Sequence, residues 1–132
     1  MPRVADYMSQ ELLCVDQAST VAEAASLMAQ RRVGSVLVVD GSRPAGILTE
    51  RDIVRAVSHD VMAMHEPILD WLTRDPVTIA ADADVFDARR LMVEGNFRHL
   101  PVMAEGRLVG MLSMRDLARA ALEAEAEADR KT

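Results

Sequence analysis

The sequence has few of the residue types on which several classes of protein depend. It contains one cysteine, Cys14, so no disulfide can form within the chain, and the C-x-x-C spacing of zinc and redox sites is absent. Aromatic residues make up only 3% of the chain, which leaves few rings for stacking on bases. No apolar run reaches the length of a membrane span, and no signal peptide is recognisable. We therefore expect a cytoplasmic protein that binds neither membranes nor nucleic acid.

Positive charge is also scarce. The 132 residues include 15 basic and 21 acidic side chains, for a net charge of −6. This sign disfavours nucleic-acid binding over the whole surface, so any anion site must be local. With 50% hydrophobic residues the composition is globular, and the length suits one compact domain or two small halves that share a core.

An internal repeat organises the chain. A shift of 64 residues, without gaps, aligns Asp6 with Asp70. In the same register residues 48–52 (LTERD) fall on residues 112–116 (LSMRD). Two copies of one structural unit explain a register that never slips.

Each copy predicts the same order of elements. The β-rich run at residues 13–15 predicts a first strand. Thr20, with Glu23 three residues later, forms a capping box, and apolar residues then recur at helical spacing. Residues 36–39 and 45–48 flank a turn and predict a hairpin, which a second helix follows. The predicted unit is β-α-β-β-α, twice.

These elements predict a division of the chain into a first repeat at 1–58, a linker at 59–67, a second repeat at 68–120 and a helical tail at 121–132. One unit alone buries too little apolar area to be stable. We expect an α/β (α+β) fold in which two pseudo-symmetric repeats pack sheet to sheet, with two equivalent clefts where they meet.

Several short motifs mark the two copies. Asp-x-Met lies near the start of the first copy, Leu-Pro-Val occupies residues 100–102 of the second, and Gly-[IM]-Leu-[TS]-x-Arg-Asp closes both, at residues 46–52 and 110–116. In these motifs the chain, over about residues 4–120, resembles the CBS domain. The resemblance implies a CBS pair, or Bateman module, which is a regulatory fold without a required cofactor. Such clefts commonly bind AMP, ADP, ATP or S-adenosylmethionine.

The resemblance places candidate ribose-binding residues at the end of each copy. Asp52 and Asp116 occupy the position of the family's ribose carboxylate, and a carboxylate can accept hydrogen bonds from both ribose hydroxyls. Thr49 and Ser113, three residues earlier, would place a hydroxyl and helix N–H groups beside it. The same spacing is also a helix-capping arrangement, and both interpretations stay open.

Phosphate binding requires local positive charge. Arg98 and His99 precede Leu-Pro-Val, where CBS domains often carry basic residues, whereas the first copy has Gly34 and Ser35. We therefore expect the cleft with Arg98, His99, Ser113 and Asp116 to bind nucleotide better. Further phosphate candidates are Arg51 and Arg115, which could instead pair with neighbouring carboxylates. The predicted adenine-binding residues are Cys14, Val15, Gly34, Ser35, Val36, Thr78 and Ile79.

Other chemistry is poorly supported. His59, Asp60, His65 and Glu66 match no closed zinc pattern and fit an exposed linker. No phosphate loop, catalytic triad or H-E-x-x-H motif occurs, so we expect no enzymatic activity. We interpret Cys14 as a small buried residue and the methionines at helical spacing as core residues.

These observations support two alternative hypotheses about function. The first is a sensor in which an adenosine ligand in the inter-repeat cleft changes what an unidentified regulated protein binds. The second is a ligand-free dimerising scaffold or stress-response protein. We expect a homodimer in either case, because CBS pairs commonly associate through exposed helix faces. The candidate contact residues are Leu27, Met28, Ile53, Val54, Leu91, Met92 and Leu117.

Overall fold

The computed structural model describes residues 2–131, which form two compact units. The central unit is Leu12–Pro76, and the terminal unit combines the residues up to Glu11 with those from Val77 onward. Residues 1 and 132, the outer ends of the predicted first repeat and tail, lie outside the described residues. The mixed α/β fold class is confirmed.

The central unit contains a three-stranded antiparallel sheet and two α-helices. Its elements are α1 (Val21–Arg31), β1 (Ser35–Asp40), β2 (Arg43–Thr49), α2 (Glu50–His59) and β3 (Thr73–Arg74). The strand order is β1-β2-β3. The predicted hairpin and both predicted helices of the first repeat are therefore present.

Local chemistry explains the ends of α1. The Thr20 hydroxyl accepts a hydrogen bond from the Glu23 backbone N–H at 3.1 Å, which confirms the part of the predicted capping box that Thr20 supplies. At the other end Arg32 adopts the left-handed conformation, φ 56°, and its N–H reaches carbonyls of the last turn.

The first strand predicted at residues 13–15 is reduced to a single parallel bridge. Cys14 pairs with Leu37, and the Val15 N–H donates to the Leu37 carbonyl at 2.9 Å. Leu13 and Val15 pack against the core, so the alternation of an extended chain directs Cys14 the other way. Cys14 is exposed, and the prediction that it is buried is wrong.

The terminal unit repeats this plan. Its elements are β4 (Ile79–Ala80), α3 (Val85–Gly95), β5 (His99–Ala104), β6 (Arg107–Ser113) and α4 (Met114–Lys131). β4 lies parallel to β5, and β5 pairs antiparallel with β6. The Asp84 carboxylate caps α3 by accepting from the Phe86 N–H at 2.8 Å. Residues 121–131 of α4 are exposed.

The two units exchange the starts of their sequence repeats. We call residues 2–11 the first leading segment and residues 66–76 the second. The first lies in the terminal unit, where Ser9 forms an antiparallel bridge with Met111 of β6. The second lies in the central unit, where Thr73 pairs with Ile47 of β2. Each unit therefore joins the body of one repeat to the leading segment of the other.

Each leading segment completes a separate core. Val4 of the first leading segment is fully buried in the terminal unit, and Ile68 of the second is fully buried in the central unit. The predicted linker contains a 3-10 helix at Val61–His65, and its residue Ala63 is buried. The segment that the sequence predicts to be a linker is therefore part of the packed central unit.

Glycines on β2 and β6 allow the leading segments to approach closely. A Cβ on Gly46 would lie 2.7 Å from Leu72 Cδ1, and one on Gly110 would lie 2.8 Å from the Ser9 carbonyl oxygen. Both separations are too short for a real Cβ. At Gly110 the contact is with backbone, so a larger residue there would displace the segment, whereas at Gly46 the flexible end of the Leu72 side chain could turn away.

The helix methionines contribute to the cores. Met28 and Met92 are 4% and 1% exposed, which confirms that they are core residues. With Leu117, at 8%, they are therefore poor candidates for contact with another molecule, whereas Val54 is 68% exposed. Within residues 2–131, none of the helices combines the length and apolar character that crossing a membrane requires.

The buried leading segment predicts a large stability effect at Ile68. We expect Ile68→Ala to lower the free energy of unfolding by about 2–5 kcal/mol, because it leaves a cavity in the central core. Urea denaturation followed by the fluorescence of Trp71, the single tryptophan, measures it. The control Val61→Ala changes a side chain that is 72% exposed and should cost less than about 0.5 kcal/mol. Equal effects of the two substitutions would contradict the assigned burial.

Tyr7 links the first leading segment to α4 and should titrate abnormally. Its hydroxyl donates to Glu123 Oε2 at 2.6 Å, and this hydrogen bond, with partial desolvation, raises the pKa of Tyr7 above 10.0. The contact stabilises the folded state below the ordinary tyrosine pKa and is lost as pH rises through the raised value. Tyr7 is the only tyrosine, so phenolate absorbance reports it alone. Glu123→Ala should move the midpoint back towards 10.0, and an unchanged midpoint would contradict the contact.

Candidate functional site

Each unit has one junction where the second hairpin strand runs directly into a helix. In the central junction Ser35 pairs with Thr49, and the Glu50 N–H donates to the Gly34 carbonyl at 3.1 Å. The hairpin register thus brings the predicted residues Gly34 and Ser35 beside Thr49 and the start of α2, which carries Asp52.

The terminal junction has the same backbone arrangement with different side chains. His99 pairs with Ser113, and the Met114 N–H donates to the Arg98 carbonyl at 2.9 Å. The structure therefore brings together Arg98, His99, Ser113 and Asp116 within one unit. In the central junction the equivalent of this basic pair carries no charge, so the two junctions differ electrostatically.

Both carboxylate oxygens of Asp52 accept hydrogen bonds within the central junction. Its Oδ2 accepts from the Thr49 backbone N–H at 2.9 Å and from the Thr49 hydroxyl at 3.2 Å. Its Oδ1 accepts from Arg55 Nη2 at 3.2 Å. Asp52 is only 7% exposed, so this carboxylate is buried and well hydrogen-bonded.

Asp116 makes the same cap with a looser ion pair. Its Oδ2 accepts from the Ser113 backbone N–H at 2.8 Å and from the Ser113 hydroxyl at 3.0 Å. Its Oδ1 lies 4.0 Å from Arg119 Nη2, which is beyond hydrogen-bond range. The Asp116 side chain is 21% exposed, against 9% for Asp52.

Helix capping is therefore present at both junctions. In each carboxylate the cap uses Oδ2, while Oδ1 faces an arginine one turn along the helix. Because a carboxylate offers about four lone-pair sites, the capping role leaves acceptor capacity at Oδ1. Capping and ribose binding can thus coexist in one side chain.

Of the predicted phosphate-binding residues, the three arginines lie on the surface. Arg98, Arg51 and Arg115 are exposed, and His99 is half-buried. Arg98 immediately precedes β5. Arg51 lies in the first turn of α2, and Arg115 lies in the first turn of α4. Exposed guanidinium groups of this kind are accessible to an anion in solvent.

The predicted adenine-binding residues fall in both units. Cys14, Val15, Gly34, Ser35 and Val36 belong to the central unit, and Thr78 and Ile79 to the terminal unit. Val36 is fully buried in the central core and Ile79 is 7% exposed, whereas Thr78 is exposed. Protein atoms around the exposed Cys14 partly desolvate its thiol and raise the pKa of Cys14. It stays a prediction that Cys14, Val15, Gly34 and Val36 line the adenine slot of the cleft with Asp116, and that Thr78 and Ile79 belong to the cleft with Asp52.

Sequence reasoning missed an arginine clamp in each unit. Arg55 Nη2 donates to the Trp71 carbonyl at 2.8 Å, and its guanidinium lies 5.8 Å from the centre of the Trp71 ring. Arg119 Nη2 donates to the Tyr7 carbonyl at 3.0 Å and lies 5.4 Å from the Tyr7 ring. The 64-residue shift already aligns these arginines and these aromatic residues, and that double coincidence was the available signal.

The last residue of α2 and the segment that follows the helix both contact Trp71. The ring of His59 lies 5.7 Å from that of Trp71, and Glu66 Oε2 accepts from Trp71 Nε1 at 2.9 Å. Asp60 caps the following turn by accepting from the Met62 N–H at 2.9 Å. Among residues 2–131 no group of three or more metal-ligating side chains comes together.

Comparison with known sequences identifies the repeats. The CBS domain profile matches residues 4–59 and 68–123. An uncharacterised 17.7 kDa protein of Acidianus ambivalens is 38% identical over 123 residues, which cover 92% of this chain and 74% of that protein. CBS domain-containing proteins of Arabidopsis thaliana are much longer, and this chain spans only 19–22% of their length.

Solved structures agree with the sequence comparison. A CBS-domain containing protein from Agrobacterium tumefaciens has a TM-score of 0.86 at 28% identity, over 91% of this chain and 99% of that one. A CBS domain protein from Pyrobaculum aerophilum, complexed with AMP, has a TM-score of 0.83 at 30% identity, over 96% of this chain and 99% of that one. Because the profile covers both repeats and most of the sequence, the chain belongs to the CBS domain family and carries two CBS domains in tandem.

Proposed function

We propose that this protein is a regulatory module that binds an adenine nucleotide at the terminal junction and signals to a partner protein. The observation that carries the proposal is the terminal junction itself, where a capped, partly exposed carboxylate lies in the same unit as Arg98 and His99. The AMP complex of the Pyrobaculum aerophilum relative, at 30% identity, supports the ligand class.

The ribose would bind Asp116. Oδ2 is engaged by Ser113, so the ribose hydroxyls would donate chiefly to Oδ1, which makes no hydrogen bond to Arg119. A charge-assisted hydrogen bond to a carboxylate is stronger than one between neutral groups. Because the cap fixes the carboxylate before the ligand arrives, binding orders little that is not already ordered.

The phosphate would bind the basic side of the junction. Arg98 presents a planar guanidinium suited to a phosphate, and His99 and Arg115 add donors nearby in sequence. A net charge of −6 repels anions elsewhere, so this local group would decide where a nucleotide binds. The same charges disfavour S-adenosylmethionine, which has no phosphate and carries a positive sulfonium, so we favour AMP, ADP or ATP.

The ligand would act by shifting a population of conformations. A ligand changes what a partner binds only if it binds one conformation better than the other. A dissociation constant in the micromolar range, which corresponds to about 8 kcal/mol of binding free energy, suits an abundant nucleotide. No chemical step is required of the protein, and its partner would carry any activity that is regulated.

A contact-only scaffold is the second candidate function. Four apolar side chains on α2 and the turn that follows it are strongly exposed: Val54, Val57, Val61 and Met62. Exposed apolar groups close together in sequence favour association with another chain, and a homodimer is the simplest form. A thermal-shift screen separates the candidates, because only the nucleotide-binding function predicts a higher melting temperature with AMP, ADP or ATP.

Asp116→Asn tests the proposed ribose contact. The asparagine amide can still cap α4 but loses the negative charge, so we expect AMP affinity to fall about 10- to 100-fold with the fold intact. Isothermal titration calorimetry measures the affinity. The control Glu125→Gln removes an exposed charge roughly two and a half turns further along α4 and should leave binding unchanged. Equal AMP affinity in wild type and Asp116→Asn would exclude the contact.

Cys14 gives an independent chemical probe. Its pKa is raised by desolvation, so at pH 8 less thiolate is present and iodoacetamide should alkylate it more slowly than a cysteine peptide. As the only cysteine, it is followed directly by mass spectrometry. If Cys14 lines the adenine slot, saturating AMP slows alkylation further. A rate that matches the peptide contradicts the shift, and a rate insensitive to AMP removes Cys14 from the slot.

A further inference from the structure

We propose that Arg55 blocks the ribose carboxylate of the central junction, so that Asp116, and not Asp52, is the carboxylate that the chain uses. The inference rests on the proposed function and names which of the two equivalent junctions serves it. It makes Arg55 a selectivity-determining residue that acts through Asp52.

Arg55 is held in place by contacts that do not depend on Asp52. The same Nη2 atom donates to the Trp71 carbonyl at 2.8 Å and to Asp52 Oδ1 at 3.2 Å. The guanidinium also lies over the Trp71 ring, at 5.8 Å from its centre. Although 60% of the Arg55 side chain is exposed, the second leading segment has already fixed its direction.

The equivalent arginine of the terminal unit has the same anchors but does not reach its carboxylate. Arg119 donates to the Tyr7 carbonyl at 3.0 Å and lies 5.4 Å from the Tyr7 ring centre. Its distance to Asp116 Oδ1 is 4.0 Å, against 3.2 Å in the central pair. The two junctions therefore share a backbone plan and differ in whether the arginine occupies the carboxylate.

The number of free acceptor sites on each carboxylate determines whether it can bind a ribose. At both junctions the cap places two donors on Oδ2, so two vicinal hydroxyls must use mainly Oδ1. At Asp52 they would compete with a charged donor that is already positioned. If a ribose displaced the Arg55 guanidinium from Asp52, the Arg55 side chain would gain little conformational entropy, because the carbonyl and ring of Trp71 would still hold it. At Asp116 the hydroxyls would meet no hydrogen-bonded competitor from Arg119.

Two further differences act in the same direction. The Asp52 side chain is 9% exposed and that of Asp116 is 21% exposed, so a ligand reaches Asp116 more readily. The residues beside Thr49 are Gly34 and Ser35, which give no positive charge for a phosphate. The central junction is thus the weaker site by access, by charge and by competition.

Amide NMR titrations with AMP test the role of Arg55, with Arg119→Met as the matched control for Arg55→Met. In the wild type the amides of residues 113–116 should shift at a lower AMP concentration than those of residues 49–52. Arg55→Met should lower the AMP concentration needed to shift residues 49–52 about fivefold, the upper size for an ion pair whose arginine is largely exposed. Arg119→Met should leave residues 113–116 within about twofold of wild type.

The outcomes distinguish this inference from the proposed function. If AMP moves no amide at either junction of the wild type, the proposed function is wrong. If the terminal amides respond but Arg55→Met leaves residues 49–52 unchanged or less responsive, only the role of Arg55 is wrong. The same conclusion follows if Arg119→Met shifts the terminal curve as strongly. Arg55→Lys keeps the charge but loses the planar fork, and it should shift residues 49–52 less, in the same direction, in a chain with a wild-type spectrum.

Discussion

The rest of the structure depends on the close approach of each leading segment to a strand of the other repeat. Gly46 and Gly110 permit this approach, because a Cβ at either position would collide with the segment. The approach places Tyr7 or Trp71 beside a helix, where an arginine binds the aromatic residue's carbonyl and lies over its ring. The arginine in turn faces the capping carboxylate. The packing of each leading segment therefore positions the arginine that lies next to the capping carboxylate.

Duplication has preserved the architecture while the side chains at the two junctions have diverged. Both units retain the hydroxyl, the capping carboxylate and the arginine one turn later, and these groups serve the fold whether or not a ligand binds. The groups that differ are those a nucleotide would sense: Gly34 and Ser35 in one copy, Arg98 and His99 in the other. Structural need therefore accounts for what the copies share, and the side chains that differ are those on which the proposed function depends.

Local patterns predicted the elements well because their causes are local. The cap at Thr20, both hairpins and the starts of the closing helices depend on residues within a few positions of each other. The exchange of leading segments could not be predicted in this way, because aligned copies carry equivalent apolar residues and either pairing satisfies the pattern. Cys14 was misjudged for a related reason, since the face of a short extended segment depends on which strand it joins. The sequence predicted which ribose and phosphate candidates lie together at each junction, but it gave no distance between Oδ1 and an arginine.

The crossed arrangement has a consequence for how such a chain could arise. A gene for a single copy would encode a polypeptide whose first ten or so residues, if they kept the position they have here, would fill the core of a second copy and leave their own core to be completed by that copy. Domain-swapped association is a low-cost route for chains in this situation. A self-associating ancestor half this length, later fused end to end, would have had the interlocked connectivity from the start, and fusion would have freed each half to acquire different side chains.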